Sequence, residues 1–309
     1  MFRKIITDTK ELGAEAILFI GGEPLLRADL FDLVKYAKSI GLGTVIVTNG
    51  LLLNEENINK CFEAGVDWLS ISIDAAKEKT FSKIRGEDLL AKITDNILLL
   101  NKMKEENKKE FPKMVSVCTI MDDNLEELLE VVKLSRDLEI EKVIFQPVVA
   151  NNIDQTQREK DSSCAVPPSR EDALHRSIKQ LIKYKNESLS QFKFIANSIR
   201  NLKLIEKYFK GEVKAANLPC YAGYNRLQIV QEGKVYFCVN QKQYDANYGD
   251  VGIDSLKDLW YSKEAKFYRK LIRNCNSPCL QWCSYRDDFI ELQEFPRSLL
   301  FKIKNKFRK

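Results

Sequence analysis

The first half of the chain alternates short apolar runs rich in β-formers with stretches whose apolar residues recur at helical spacing. The runs Ala16–Ile20, Thr44–Thr48, Trp68–Ile73, Met114–Ile120 and Lys142–Val148 predict strands. Between them, Leu30, Leu33, Val34 and Ala37 share one helical face, as do Leu125, Leu128, Leu129 and Val132. Gly13, Gly41 and Gly65 each follow a helical stretch, where a left-handed capping residue is wanted. Repeated βα units predict a parallel sheet covered by helices. Short strands of this kind build a whole or partial (βα) TIM-type barrel, whose chemistry sits at the carboxyl ends of the strands.

Residues Met1 to Leu12 read as a helix with Ile5, Ile6 and Leu12 as apolar positions, and no Ser, Thr, Asp or Asn precedes it as a cap. A barrel that opens on a helix lacks the strand from which that helix crosses over. The expectation is therefore a partial barrel missing its first strand, from an N-terminally truncated chain. The alternation ends at Val149. Ala150–Arg170 is polar, carries Pro167-Pro168 and reads as a linker or lid. Helices follow at about Glu171–Tyr184 and Ile195–Lys210, and then Leu227–Val230 and Val235–Cys238 form a hairpin through Glu232-Gly233. A helical stretch Ser255–Arg273 leads into a run of cysteines. The expected organisation is a barrel unit at 1–149, linker and helices at 150–217, a small cysteine-rich α+β domain at 218–290 and a basic amphipathic tail at 291–309.

Composition sharpens this. The chain has 309 residues, 44% hydrophobic and 30% charged, which suits one large domain plus a small one. No apolar run spans a bilayer and no signal peptide opens the chain, so a cytoplasmic location is expected. The net charge of +5 is spread along the chain and argues no nucleic-acid partner. Phe295, Leu299, Ile303 and Phe307 lie four apart in the basic tail, a stripe expected to pack on the protein itself rather than on a membrane surface. The single histidine, His175, disfavours a histidine-rich zinc site.

Candidate chemistry falls at strand ends and in the late cysteines. Gly21-Gly22-Glu23-Pro24-Leu25 follows the first strand directly; paired glycines admit a close ligand, and a carboxylate beside them suits an ammonium group. Thr48-Asn49-Gly50 follows the second strand, Ser72-Ile73-Asp74 ends the third, Arg85-Gly86 lies in the loop after it, and Thr119 closes the fourth with Asn124 beyond. Asp74 and Asn124 are equally suited to capping the helices that follow them. Five of the eight cysteines, Cys220, Cys238, Cys275, Cys279 and Cys283, crowd the last third, a ligand signature where no export signal is present. Four thiolates suit an iron–sulfur cluster or tetrahedral zinc. Cys61 and Cys118 fall on core faces, and Cys164 lies in the polar linker.

The Gly21–Leu25 motif and the polar strand ends after it resemble the radical S-adenosylmethionine (SAM) enzymes, over about Ile5 to Val149. The resemblance implies that Gly21, Gly22 and Glu23 hold the amino group of SAM, that Ser72 and Asp74 lie near its carboxylate and ribose, and that Thr119, Asn124 and Gln146 are further candidates by strand-end position. Cys220 followed by Tyr221-Ala222-Gly223, then Cys238 and the Cys275, Cys279, Cys283 trio resemble the SPASM/Twitch auxiliary-cluster domain. That implies one [4Fe–4S] cluster on Cys220, Cys238 and two of the trio.

In that family a CxxxCxxC motif holds a radical-generating [4Fe–4S] cluster. The cluster cleaves SAM to a 5′-deoxyadenosyl radical that abstracts hydrogen from substrate. These residues contain no such motif. The implied function is an oxidoreductase-type enzyme modifying a peptide or cofactor precursor, or a small-molecule substrate, fed by an electron donor such as ferredoxin or flavodoxin. The competing readings are a non-catalytic barrel binding protein retaining one C-terminal metal centre, and structural zinc in place of the cluster.

Overall fold

The computed structural model describes residues 1–86, 89–149, 165–213, 220–238, 248–275 and 279–281. Helix α1 (Phe2–Glu11) precedes strand β1 (Ala16–Phe19). Then α2 (Leu30–Ser39), β2 (Gly43–Thr48), α3 (Glu55–Ala64) and β3 (Trp68–Ser72) follow. Next come α4 (Glu78–Arg85), α5 (Leu90–Glu106), β4 (Lys113–Ile120), α6 (Leu128–Asp137) and β5 (Lys142–Pro147). The five strands form one parallel sheet in chain order, β1-β2-β3-β4-β5. The expected α/β partial barrel is the fold observed. Each predicted strand is present within a residue or two of its expected ends.

Burial alternates along the strands, because helices cover one face of the sheet and leave the other open. Ile46, Leu69, Ile71, Met114, Cys118 and Ile120 point into the helix-covered core with Val34, Ile58, Ile97 and Val131. Their register neighbours Val45, Val47, Ser70, Ser72, Val117 and Thr119 are only half-buried on the open face. Gly65 caps α3 at φ +74°, and Gly41 turns the chain after α2 at φ +76°, as their positions predict.

The two edges of the sheet are treated differently. At β5, Ala196 donates to the Val143 carbonyl at 2.8 Å. The Asn197 side chain accepts from the Phe145 N–H and donates to the Phe145 carbonyl, both at 2.7 Å. This occupation of the edge corrects the expected helix Ile195–Lys210. Residues 195–197 act as a substitute strand, and Ser198 then caps a helix that begins at Ile199. At the other edge β1 pairs only with β2 among the described residues, and Leu18 and Ile20 are 53% and 63% exposed.

After the barrel, α7 (Glu171–Lys185), α8 (Leu189–Phe194) and α9 (Ile199–Phe209) pack on α6 and β5. The buried Lys185 ammonium donates to the Phe192 and Ile195 carbonyls at 2.5 and 2.8 Å and so ties down the end of α8. The hairpin β6 (Gln228–Ile229) and β7 (Val235–Tyr236) forms as expected, though shorter. The predicted helix Ser255–Arg273 is two helices, α10 (Leu256–Tyr261) and α11 (Lys263–Arg273). The break falls at Ser262, whose hydroxyl accepts from the Ala265 N–H and starts α11 afresh.

Hairpin and helices enclose a second core of Ala222, Val235, Phe237, Tyr248, Leu256, Leu259 and Ile272. Helix α1 serves both units. Ile6 is buried with Leu33 and Ala37 of the barrel, while Ile5 and Leu12 pack on the second core. Its first turn has no side-chain cap, as the sequence implies. Among the described residues no helix is long and apolar enough to cross a membrane.

Candidate cofactor and cluster sites

The ends of β1 and β2 are joined by one carboxylate. Glu23 Oε1 accepts from Thr48 Oγ1 at 2.8 Å and from the Leu25 N–H at 3.1 Å, and Oε2 accepts from the Asn49 N–H at 2.8 Å. The Leu25 bond also starts the short 3-10 turn Pro24–Leu26. Beside it the Gly21-Gly22 turn stands open: a Cβ built on either residue meets nothing within 4 Å. A fixed carboxylate with lone-pair capacity left on Oε2 therefore faces a turn that a ligand can approach closely.

The ends of β3 and β4 are joined in the same way. Asp74, 2% exposed, accepts from the Thr119 N–H at 2.8 Å and pairs with the Arg85 guanidinium. Asn124 is fully buried; its amide donates to the Asp74 carbonyl at 2.7 Å and to the Thr119 carbonyl at 2.8 Å, and accepts from the Met121 N–H. With its hydrogen bonds spent inside the protein, Asn124 holds the rim together rather than offering atoms to a ligand. Asp74 likewise aims Arg85, whose side chain is 39% exposed, and it does not cap α4. The turn leading into α4 is held instead by Glu127. Its carboxylate accepts from the Ala76 and Lys77 N–H groups at 3.2 and 3.1 Å and from Thr80 Oγ1 at 2.5 Å.

Ser72, Thr119 and Gln146 lie on the open face of the sheet, with Thr119 and Gln146 paired in register. Sequence reasoning placed these residues but missed Glu127 and the partnerships of Thr48, Asn49 and Arg85. Thr48-Asn49-Gly50 at a strand end was the available signal for the first pair. Glu127 gave none, since an acidic residue in an amphipathic stretch is ordinary.

Two cysteines are excluded as ligands by their surroundings. Burial pushes the Cys61 thiol up to about 12, and burial with the nearby Asp74 carboxylate holds Cys118 well above its ordinary value. Both remain protonated core residues. Cys220 and Cys238 pack half-buried against the second core, Cys275 follows α11, and Cys279 is buried beside Leu280, which enters the barrel core. Cys283 and Cys164 lie outside the described residues, as do the tail and 150–164 of the linker. Among the described residues no three His, Cys, Asp or Glu side chains converge as ligands of a single metal ion. Tetrahedral zinc needs all its sulfurs about 2.3 Å from one point. A cubane cluster gives each cysteine its own iron, so its ligands need not converge on one point. Cysteine thiolates are the donors that such a cluster takes.

Residues 1–135 match the Radical SAM superfamily, and residues 220–284 match the SPASM iron-sulfur cluster-binding domain. Over its first 135 residues the chain is thus similar to the radical SAM superfamily. The SPASM match implies iron–sulfur rather than zinc chemistry in the second unit, and the superfamily match implies SAM as cofactor. An AdoMet-dependent heme synthase of Methanosarcina barkeri is 33% identical over 136 residues, covering 44% of this chain and 37% of that protein. The chain spans 22% and 21% of two further relatives, an AdoMet-dependent heme synthase of Oleidesulfovibrio alaskensis and an Fe-coproporphyrin III synthase of M. barkeri.

A tungsten-containing aldehyde ferredoxin oxidoreductase cofactor-modifying protein of Pyrococcus furiosus is 23% identical over 303 residues, covering 94% of this chain and 80% of that one. Among solved structures, native anSMEcpe with bound AdoMet superposes with a TM-score of 0.65 at 14% identity, covering 99% and 90% of the two chains. SuiB of Streptococcus suis bound to precursor peptide SuiA superposes at 0.64 with 15% identity, covering 90% and 64%. At these identities the superpositions establish the fold.

Proposed function

We propose that this chain forms the cofactor- and substrate-holding part of a radical SAM oxidoreductase that modifies a peptide or a cofactor precursor. The carrying observation is Glu23, fixed by Thr48 and Asn49 beside the open Gly21-Gly22 turn. In this reading Glu23 and the two glycines hold the ammonium group of SAM. Arg85, aimed by Asp74, and the Ser72 hydroxyl receive its carboxylate, while Thr119 and Gln146 line the open face towards the ribose. Charge-assisted bonds to groups already held in place bind the ligand without further ordering of the rim. SAM bound at a reduced cluster supplies a hydrogen-abstracting radical; the role of these residues is to orient cofactor and substrate and exclude water.

Substrate class is supported by the relatives: the P. furiosus protein is named for modifying a cofactor, and SuiB is seen with a precursor peptide. An electron donor of the ferredoxin or flavodoxin type fits this chemistry. Cys220, Cys238 and two of Cys275, Cys279 and Cys283 would hold an auxiliary cluster. No CxxxCxxC motif occurs within these 309 residues. In a form that also carries a CxxxCxxC segment and is reconstituted anaerobically, the protein is expected to form 5′-deoxyadenosine from SAM and dithionite. Glu23→Gln should slow this about tenfold, the equivalent of one interaction of ~1.4 kcal/mol. Absence of the nucleoside above a no-protein control would contradict the proposal.

A further inference from the structure

The second core contains a cation placed where its cysteine-bearing segments meet. Arg269, on α11, donates from Nε to the Gly223 carbonyl at 2.6 Å. Its guanidinium lies 4.5 Å from the Trp260 ring centroid, 4.7 Å from that of Phe237 and 6.0 Å from that of Tyr224. Gly223 lies three residues after Cys220, and Phe237 immediately precedes Cys238. Arg269 itself lies one turn before the end of the helix that Cys275 follows. Gly223 can sit this close only as glycine. It has φ +75°, and a Cβ there would lie 2.7 Å from the Phe237 ring. The Cys220 turn is thus pressed flat onto the residue before Cys238, and one guanidinium clamps both to the helix leading to Cys275.

An arginine suits this position for a physical reason. Its planar fork stacks on aromatic faces while presenting an in-plane N–H to a carbonyl, and it is more weakly hydrated than an ammonium. Arg273, one turn on, contacts Tyr224, with its centroid distance at 5.6 Å and a bond to the phenol oxygen at 3.0 Å. Among the described residues it has no hydrogen bond to Gly223 and no ring contact with Phe237.

We infer that Arg269 is the positioning residue of the auxiliary cluster, setting the spacing of Cys220, Cys238 and Cys275. The inference rests on the auxiliary-cluster reading above. Outer-shell partners that orient metal ligands commonly change metal affinity by about 10–100-fold when removed. The test uses the full chain reconstituted anaerobically with iron and sulfide, compared as wild type, Arg269→Gln, Arg269→Lys, Arg273→Gln and a Cys220→Ser/Cys238→Ser double variant.

Arg269→Gln is expected to release iron to a chelator about 10–100-fold more readily and to alter the electron paramagnetic resonance spectrum of the dithionite-reduced cluster. Arg269→Lys should fall between it and wild type, keeping a cation but losing the planar N–H, and Arg273→Gln should match wild type. Wild-type iron retention and an unchanged spectrum in folded Arg269→Gln would overturn the inference. If circular dichroism shows that variant unfolded, the same result in Arg269→Lys overturns it. A wild type that loads no more iron and sulfide than the double-serine variant would instead overturn the auxiliary-cluster reading itself.

Discussion

Glu23 and Thr48 close the gap between the first two strand ends: the threonine hydroxyl donates to the carboxylate at 2.8 Å and in turn accepts from the Gly50 N–H at 3.1 Å. One side chain thereby sets both the acid and the loop after β2. Thr48→Val keeps the shape and removes both bonds. Urea unfolding is expected to show a loss of about 1.5–3 kcal/mol, the range for hydrogen bonds to charged groups. An unchanged midpoint would mean that Glu23 is held without Thr48.

The open Gly21-Gly22 turn separates stability from binding. Neither glycine has a positive φ, and an added Cβ meets no protein atom within 4 Å. Gly21→Ala and Gly22→Ala should therefore leave unfolding midpoints within about 0.5 kcal/mol of wild type. The same methyl groups stand where SAM is proposed to lie, so its affinity should fall. Destabilised variants would contradict the geometry, and stable variants with full affinity would contradict the assignment.

Asn197 substitutes for a strand at the β5 edge, satisfying Phe145 at both its N–H and its carbonyl. Asn197→Ala leaves two buried backbone groups without partners and should cost about 2–5 kcal/mol in urea unfolding. Asn197→Asp keeps an acceptor for the Phe145 N–H but faces a carboxylate towards the Phe145 carbonyl and the Asn201 side-chain oxygen. It should be the more damaging of the two at neutral pH.

Cys61 gives the chain an alkaline dependence. Its folded-state value of about 12 exceeds the ordinary 9.0, so its contribution is fully present below pH 9 and is lost as pH rises towards 12. Above pH 9 the unfolded thiol ionises and the folded one does not. The slope is about 1.4 kcal/mol per pH unit. The stability difference between wild type and Cys61→Ala should change by about 2 kcal/mol between pH 8 and pH 10.5. Parallel pH curves would place the Cys61 thiol in solvent.

The strands were legible because apolar runs of five to seven residues bounded by polar turns leave little choice of element, and the Gly21–Pro24 turn because it follows such a run. Partnerships across the rim were not. That Asp74 aims Arg85, or that Glu127 holds the turn before a helix fifty residues upstream, depends on side chains brought together only by the sheet register. Residues 195–197 misled for a related reason. Ile195 and Ala196 continue a helical pattern, and only the exposed edge of β5 gives their backbone a better partner. The split at Ser262 went unseen because the apolar pattern runs on through it, and the cap shows only in the bond its hydroxyl accepts from the Ala265 N–H. Arg269 illustrates the same limit, being one basic residue among several on α11 until the rings of Phe237 and Trp260 are placed around it.

Glu23 beside Gly21-Gly22 is proposed to hold the cationic end of SAM. Equilibrium dialysis of labelled SAM against wild type and Glu23→Gln measures it directly, with circular dichroism confirming that both are folded. The account predicts saturable binding by wild type and an affinity at least about tenfold weaker for Glu23→Gln. Equal affinities in the two folded proteins would contradict it.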